Sequence, residues 1–231
     1  MEARSRIENL VIDWRKCGIA AVLALLILNL FPSIDLAVSV WFYRPGQGFP
    51  LAHLAFFGFV MKALPDLAIG AAGTAAILGT ASLIAGRVWL TLTPRRSLYL
   101  VATLALGPGV IVNSLLKDHW GRARPHQIVE FGGNAHFTPA ALLADQCTRN
   151  CSFPSGHAAL AFWLIAFAFL LPTGKRFPAV VAALLVGALV GLMRIAQGAH
   201  FLSDVLAAAI LVVGINIGLK RMILGRDMRT K

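Results

Sequence analysis

Eight residues in the second half of this 231-residue chain have the types and spacing to move a phosphoryl group: Lys117, Arg124, Ser155, Gly156, His157, Arg194, His200 and Asp204. His200 and Asp204 are four apart, which stacks them on one face of a helix. A carboxylate so placed accepts from one ring nitrogen, sets the tautomer and leaves the other nitrogen as nucleophile or base. Lys117, Arg124 and Arg194 suit phosphoryl oxygens, because guanidinium forks match them bidentately and an ammonium adds a compact charge. Such a clamp stabilises charge on a phosphoryl group in transfer. In Pro154-Ser155-Gly156-His157 a turn leads straight into a helix. Backbone N–H groups and the Ser155 hydroxyl there face an anion, and Gly156 lets the backbone come close. His157 then stands where a general acid would meet a leaving oxygen. Each piece alone has a plainer reading: a helix-end His–Asp pair satisfying itself, a Ser cap, a solvated rim that holds anionic headgroups. Arg44, Arg122 and Arg149 fit the rim reading.

What must position these residues is a set of membrane helices. The chain is 58% hydrophobic, with 21 Lys and Arg against 10 Asp and Glu and a net charge of +11. Its mean hydropathy is +0.76. A disordered basic tail would be poor in apolar residues. A soluble nucleic-acid binder could not bury this much apolar surface in one domain. Three Cys are too few for a disulfide scaffold. The composition is that of an all-α polytopic membrane helix bundle, with no nucleic-acid partner, and its charge reads first as topology.

Six windows reach the roughly 20 apolar residues that cross a bilayer. They run from Cys17 to Trp41, Asp66 to Gly86, Ser97 to Leu116, Ser155 to Leu171, Phe177 to Ile195 and Phe201 to Leu219. The stretch Leu51 to Leu64 contains His53 and Lys62, stops at Pro65, and reads as a short interfacial helix. The first window reads as a retained span and not a signal peptide, since no small-residue cleavage site follows it. With both termini on the cytoplasmic side, fourteen of the 21 Lys and Arg fall inside. They are Arg4, Arg6, Arg15, Lys16, Arg87, Arg95, Arg96, Lys175, Arg176, Lys220, Arg221, Arg226, Arg229 and Lys231. Six fall outside, and that bias sets the orientation. Up-and-down topology then brings the helix ends that carry the eight reactive residues to one outer face.

The long connection from Lys117 to Pro154 lies on that face and is rich in Gly, Pro and polar residues. Within it Cys147 and Cys151 are spaced for a small disulfide, although two free thiols or, less simply, a metal pair also fit the spacing. Cys17 reads as a small buried residue of the first span. His119, His126 and His136 read as ordinary loop residues or as contacts to a sugar or second phosphate.

Together these pieces resemble the three-part signature of the type 2 phosphatidic acid phosphatase (PAP2) superfamily. K-x6-R-P matches Lys117 to Pro125, P-S-G-H matches Pro154 to His157, and S-R-x5-H-x3-D matches Arg194, His200 and Asp204, with Met193 in place of Ser. The motif core is 117–204, inside a single membrane-embedded domain of 1–231. The resemblance implies a double displacement that uses no metal and no other cofactor. His200 is the implied nucleophile, forming a phosphohistidine, and Asp204 orients it. His157 is the implied acid and then base, and Lys117, Arg124, Ser155, Gly156 and Arg194 hold the phosphate. The residues by themselves do not choose His200 over His157 as the attacking group. Met193 removes one hydroxyl contact to phosphate. Vanadium haloperoxidases share the motifs and would hold vanadate, but they are soluble secreted proteins, at odds with six spans.

A site at the outer end of spans suits a phosphorylated membrane lipid at the outer face of the bacterial inner membrane. The loop through Phe131-Gly132-Gly133, Phe137-Thr138-Pro139 and Asn150-Cys151-Ser152-Phe153 is similar to loops of bacterial lipid A phosphatases. That makes the 1- or 4′-phosphate of lipid A the leading substrate. Undecaprenyl diphosphate, phosphatidylglycerophosphate and phosphatidic acid are alternatives. So is phosphoryl transfer to a second lipid, or, in a different class, a non-catalytic lipid-binding or transport protein.

Overall fold

The computed structural model describes residues 13–225. Of the inner-side cations, Arg4, Arg6, Arg226, Arg229 and Lys231 lie outside the described residues. Helix α1 (Trp14–Leu30) starts where the Asp13 carboxylate accepts the amides of Arg15 and Lys16. It ends at Phe31-Pro32, and α2 (Ser33–Val40) leaves at 89° to it. The first window is therefore a bent pair and not one straight span, because Pro32 has no N–H with which to extend the ladder. The bend turns the polar side of α2 inward, and Asp35 and Ser39 are buried. Cys17 is exposed, because an outer face of a membrane helix is turned to lipid and not to protein.

The stretch 51–64 is not a separate interfacial helix. Pro50–His53 forms a 3-10 turn, and Ala55–Ala85 runs as one helix, α3, straight through Pro65. At 1.5 Å per residue α3 is about 46 Å long, which is enough to cross a bilayer and project beyond it. A Pro breaks a helix in water, but in a membrane bundle neighbouring groups re-satisfy the freed carbonyl. Leu67, Ile69, Ile77, Leu83 and Ile84 on α3 are each at least 66% exposed, an apolar surface that only lipid suits.

Helix α4 (Pro94–Leu104) begins at Thr93, whose hydroxyl accepts the Arg96 amide. It widens into a π-helical segment, Ala105–Leu116, and ends in the turn Lys117–His119. Then come α5 (Gly156–Phe162), α6 (Ile165–Leu170), α7 (Thr173–Ala196) and α8 (Leu202–Leu219), the last extended by a π-helical turn to Leu224. Among the described residues four helices are long and apolar enough to cross a membrane: α3, α4 with its π segment, α7, and α8 with its extension. The α1–α2 pair makes a fifth only as a broken span, and Gly156–Leu170 is shorter. All six apolar windows are helical, but they are not six equal spans.

The short α5–α6 pair is apolar because protein surrounds it. Ala158, Ala159, Ala161, Trp163, Ile165 and Ala166 are buried against α4, α7 and α8. Small residues let these backbones approach, and polar side chains join them from helix to helix. Trp163 Nε1 donates to Thr103 Oγ1 at 3.0 Å, and the Tyr99 hydroxyl donates to Asn216 Oδ1 at 3.1 Å. Above the bundle, the loop between α4 and α5 packs on itself. Trp120 stacks on Phe153 with ring centres 4.8 Å apart and donates Nε1–H to the Ala140 carbonyl. Cys147 and Cys151 are joined in a disulfide.

Gly121 makes the turn out of α4 at φ 72°, and a Cβ there would sit 1.6 Å from the Ala144 carbonyl oxygen. Gly46 also has positive φ (76°) but faces open space. Gly121→Ala is expected to cost about 2–4 kcal/mol of stability and Gly46→Ala only about 1. Thermal unfolding in detergent compares them, and equal losses would contradict the steric account.

Candidate active site

The ends of α4, α5 and α7 and the segment before α8 meet around a cavity of about 320 Å³. Lys117, Arg124, Gly156, His157, Arg194 and His200 line it, together with Pro65, Asn113, Asn150 and Leu160. The structure thus gathers six of the eight sequence-derived residues around one cavity. Asp204 stands behind His200, and Ser155 lies buried at the N-cap of α5. The Ser155 hydroxyl has no hydrogen-bond partner among the described residues, so it caps no helix amide and keeps a donor in reserve.

The π-helical segment sets the position of Lys117. Asn113 Nδ2 donates to the Pro108 carbonyl and Ser114 Oγ to the Gly109 carbonyl, each five residues back. Such widened turns recur at functional sites, and this one turns Asn113 and Lys117 to the cavity. Asn113 is a lining residue that sequence reading missed. Its Oδ1 would lie 2.5 Å from a Cβ on residue 156, so any larger residue there would push the Asn113 amide aside.

His200 and Asp204 do not share a helix face. The backbone at Phe201 is extended (φ −88°, ψ 166°), so α8 begins at Leu202 and His200 precedes it. His200 Nδ1 is 3.7 Å from Asp204 Oδ2, close enough for charge attraction but longer than a hydrogen bond. Both His200 ring nitrogens lack hydrogen bonds among the described residues. Full burial pushes the His200 imidazole well below its ordinary range, so it is held neutral. Asp204 spends its oxygens elsewhere: Oδ1 accepts from Arg122 Nη1, and Oδ2 from Ser152 Oγ and the Phe201 amide.

Arg122, read from sequence as part of a solvated rim, is fully buried. Its Nη1 pairs with Asp204 and its Nη2 with Asp35 Oδ2 at 2.8 Å, while Nε donates to the Thr138 carbonyl. The guanidinium lies 4.3 Å from the centre of the Phe201 ring. Asp35 also accepts the Ser203 amide and hydroxyl. Two carboxylates flank one guanidinium, and every partner is polar and satisfied. Asp35 sits in an apolar window far from the motifs, where an acidic residue at membrane depth is itself a signal of function. Arg44 and Arg149 are exposed.

The α4–α5 loop and the last turn of α7 hold the remaining cations. Arg124 Nη2 donates to the Asn150 backbone oxygen (2.8 Å) and to Asn150 Oδ1 (3.0 Å), and the Cys147–Cys151 bridge brackets that residue. Arg194 Nη1 donates to Gln197 Oε1 at 2.6 Å, leaving Nε without a partner among the described residues. His157 Nε2 meets the Met61 carbonyl at 3.2 Å. His126 Nδ1 meets the Gly198 carbonyl, and burial lowers its pKa; His119 and His136 are exposed. Met193, at the position of the motif's Ser, is buried against Met61 and Val190 and supplies packing there in place of a hydroxyl.

The fold defines a polytopic helical membrane protein with a cationic pocket at its helix ends. The chain belongs to the PAP2 superfamily, whose family model matches residues 96–227. It is 45% identical over 120 residues to the Lipid A 4'-phosphatase of Francisella tularensis subsp. novicida (strain U112), covering 51% of this chain and 54% of that protein. It is 45% identical over 105 residues to the Lipid A 4'-phosphatase of Rhizobium leguminosarum, covering 46% of this chain and 45% of the relative. The Rhizobium etli protein of the same name matches at 45% over 105 residues, 41% of its length. The chain spans about half the length of the curated relatives it matches. No solved structure matches it.

Removing one member of a buried ion network leaves the others unpaired, typically at about 3–5 kcal/mol. Arg122→Ala is expected to lose stability in that range, measured by thermal unfolding in detergent. A loss below about 1 kcal/mol, the value of a rim cation, would restore the rim reading.

Proposed function

We propose that the chain is a membrane lipid phosphatase that removes the 4′-phosphate of lipid A through a phosphohistidine intermediate. The observation that carries this reading is the single cavity where a neutral buried imidazole, a second imidazole and three cations face one another. The names of the three relatives support the substrate and the 4′ position. The charge bias supports cytoplasmic termini and a site facing the periplasm from the inner membrane.

In the first step His200 attacks phosphorus with Nε2, since Nδ1 faces Asp204. A P–N bond forms as the P–O bond to the lipid breaks, and the leaving oxygen takes a proton from His157. Lys117, Arg124 and Arg194 balance charge on the phosphoryl oxygens, with the Ser155 hydroxyl as a further donor. In the second step His157 takes a proton from water, the hydroxide attacks phosphorus, and the P–N bond breaks to release inorganic phosphate and neutral His200. Asp204 stabilises the positive charge on His200 while the phosphate is attached. Its own position is set by Arg122 and Ser152.

A second cavity, of about 460 Å³, adjoins the first and shares Arg124 and Arg194 with it. Gln47, His53, His126 and Gln197 line it together with Phe49 and Phe131. Amides and imidazoles beside aromatic rings suit a sugar, which supports a glycolipid headgroup over a bare glycerol phosphate.

Purified protein should release phosphate from lipid A with EDTA present and faster than from undecaprenyl diphosphate, phosphatidylglycerophosphate or phosphatidic acid. His200→Ala should abolish release and acid-labile phosphate on the protein. Turnover that survives His200→Ala would remove the nucleophile assignment, and a requirement for added metal would remove the proposed mechanism. The neutral form of His200 is the nucleophile, and burial holds its pKa below the ordinary 6.5. The acid limb of kcat/KM should therefore lie below pH 6.5, and a limb at or above it would contradict that role. The double variant Gln47→Ala, His53→Ala should lower the lipid A to phosphatidic acid preference several-fold, and an unchanged ratio would dissociate the second cavity from the headgroup.

A further inference from the structure

A proline inside a helix brings no N–H to the carbonyl four residues before it. In α3 that proline is Pro65 and the carbonyl is that of Met61. The freed oxygen is not left bare in the apolar interior, since it meets His157 Nε2 from α5 at 3.2 Å. Pro65 itself lines the catalytic cavity beside His157. The segment that carries the carbonyl is held firmly. The Met61 side chain is buried among Ala161, one turn beyond His157 on α5, and Val190 and Met193 of α7.

We propose that Pro65 is a positioning residue for the acid–base histidine. By withholding an N–H from the Met61 carbonyl it reserves that oxygen for His157. A carbonyl only accepts, so His157 Nε2 carries a proton in both charge states of the ring. The proton that moves therefore sits on Nδ1, which gives it to the leaving oxygen and takes it back from water. A residue with an N–H at position 65 would bring a helix donor to the Met61 carbonyl in competition with His157, weakening both the anchor and the tautomer preference. Met193 belongs to the same device, as the side chain that fixes the Met61 segment against α7. This inference rests on the acid–base role proposed for His157.

The test is the full chain in detergent carrying Pro65→Ala, assayed on two substrates that differ in leaving group. A lipid phosphomonoester expels an alkoxide and needs the acid, whereas 4-nitrophenyl phosphate expels a stable phenolate and does not. Pro65→Ala should lower kcat/KM, which reports phosphoenzyme formation and not the shared hydrolysis step, about ten- to hundredfold on the lipid and less than about threefold on the aryl ester. His157→Ala should show the same pattern more strongly, and adding Pro65→Ala to it should cost nothing further. Equal losses on both substrates, or no loss on either, overturn the role of Pro65. If His157→Ala treats the two substrates alike, the acid–base assignment itself fails. Independently of any variant, the ring nitrogen shifts of His157 in the unmodified protein should report Nε2–H in the neutral state. Finding the proton on Nδ1 instead would also overturn the proposal.

Discussion

The structure turns on one buried guanidinium. Arg122 is sealed from solvent between Asp35 of α2 and Asp204 of α8, so two carboxylates from distant parts of the chain are tied to the loop between α4 and α5. Charges removed from water are costly unless every partner is in place. Here they are in place: Ser203, Ser152, the Thr138 carbonyl and the Phe201 amide satisfy what remains. The network stands under His200 and holds Asp204 beside it while Asp204 is occupied by other donors. The bend at Pro32 between α1 and α2 accompanies this placement of Asp35 against Arg122.

Around that anchor, departures from regular helix do the positioning. The π-helical segment of α4 turns Asn113 and Lys117 to the cavity, and the extended backbone at Phe201 places His200 ahead of α8. Pro65 leaves a carbonyl that His157 occupies. A membrane interior tolerates unpaired backbone groups only where other groups satisfy them, and at Pro65 the group that does so comes from a second helix. Regular helices supply the lipid-facing surface, and the irregular turns supply the site.

Much of this was legible in the chain. The apolar windows are helical, the charges of the three motifs converge at one end, and Cys147 and Cys151 are bridged. Arg122 was not legible, because composition cannot tell a cation on a rim from one facing two acids until the acids are located in space. The stretch 51–64 was misjudged because Pro65 looks like a stop when only local hydrogen bonding is considered. Asp35 was visible as an acidic residue in an apolar run, but its partner is 87 positions away.

The sequence by itself determined that the chain is a helical membrane protein and which cationic and imidazole residues gather at one cavity. Hydropathy and residue chemistry are local properties, and they survive without a fold. Only the tertiary structure decided which cations are buried, which ring nitrogens of His126 and His157 are engaged, and which helices bend. Those outcomes depend on hydrogen bonds between residues far apart in the chain, and in a low-dielectric interior each such bond is strong enough to overrule local preference.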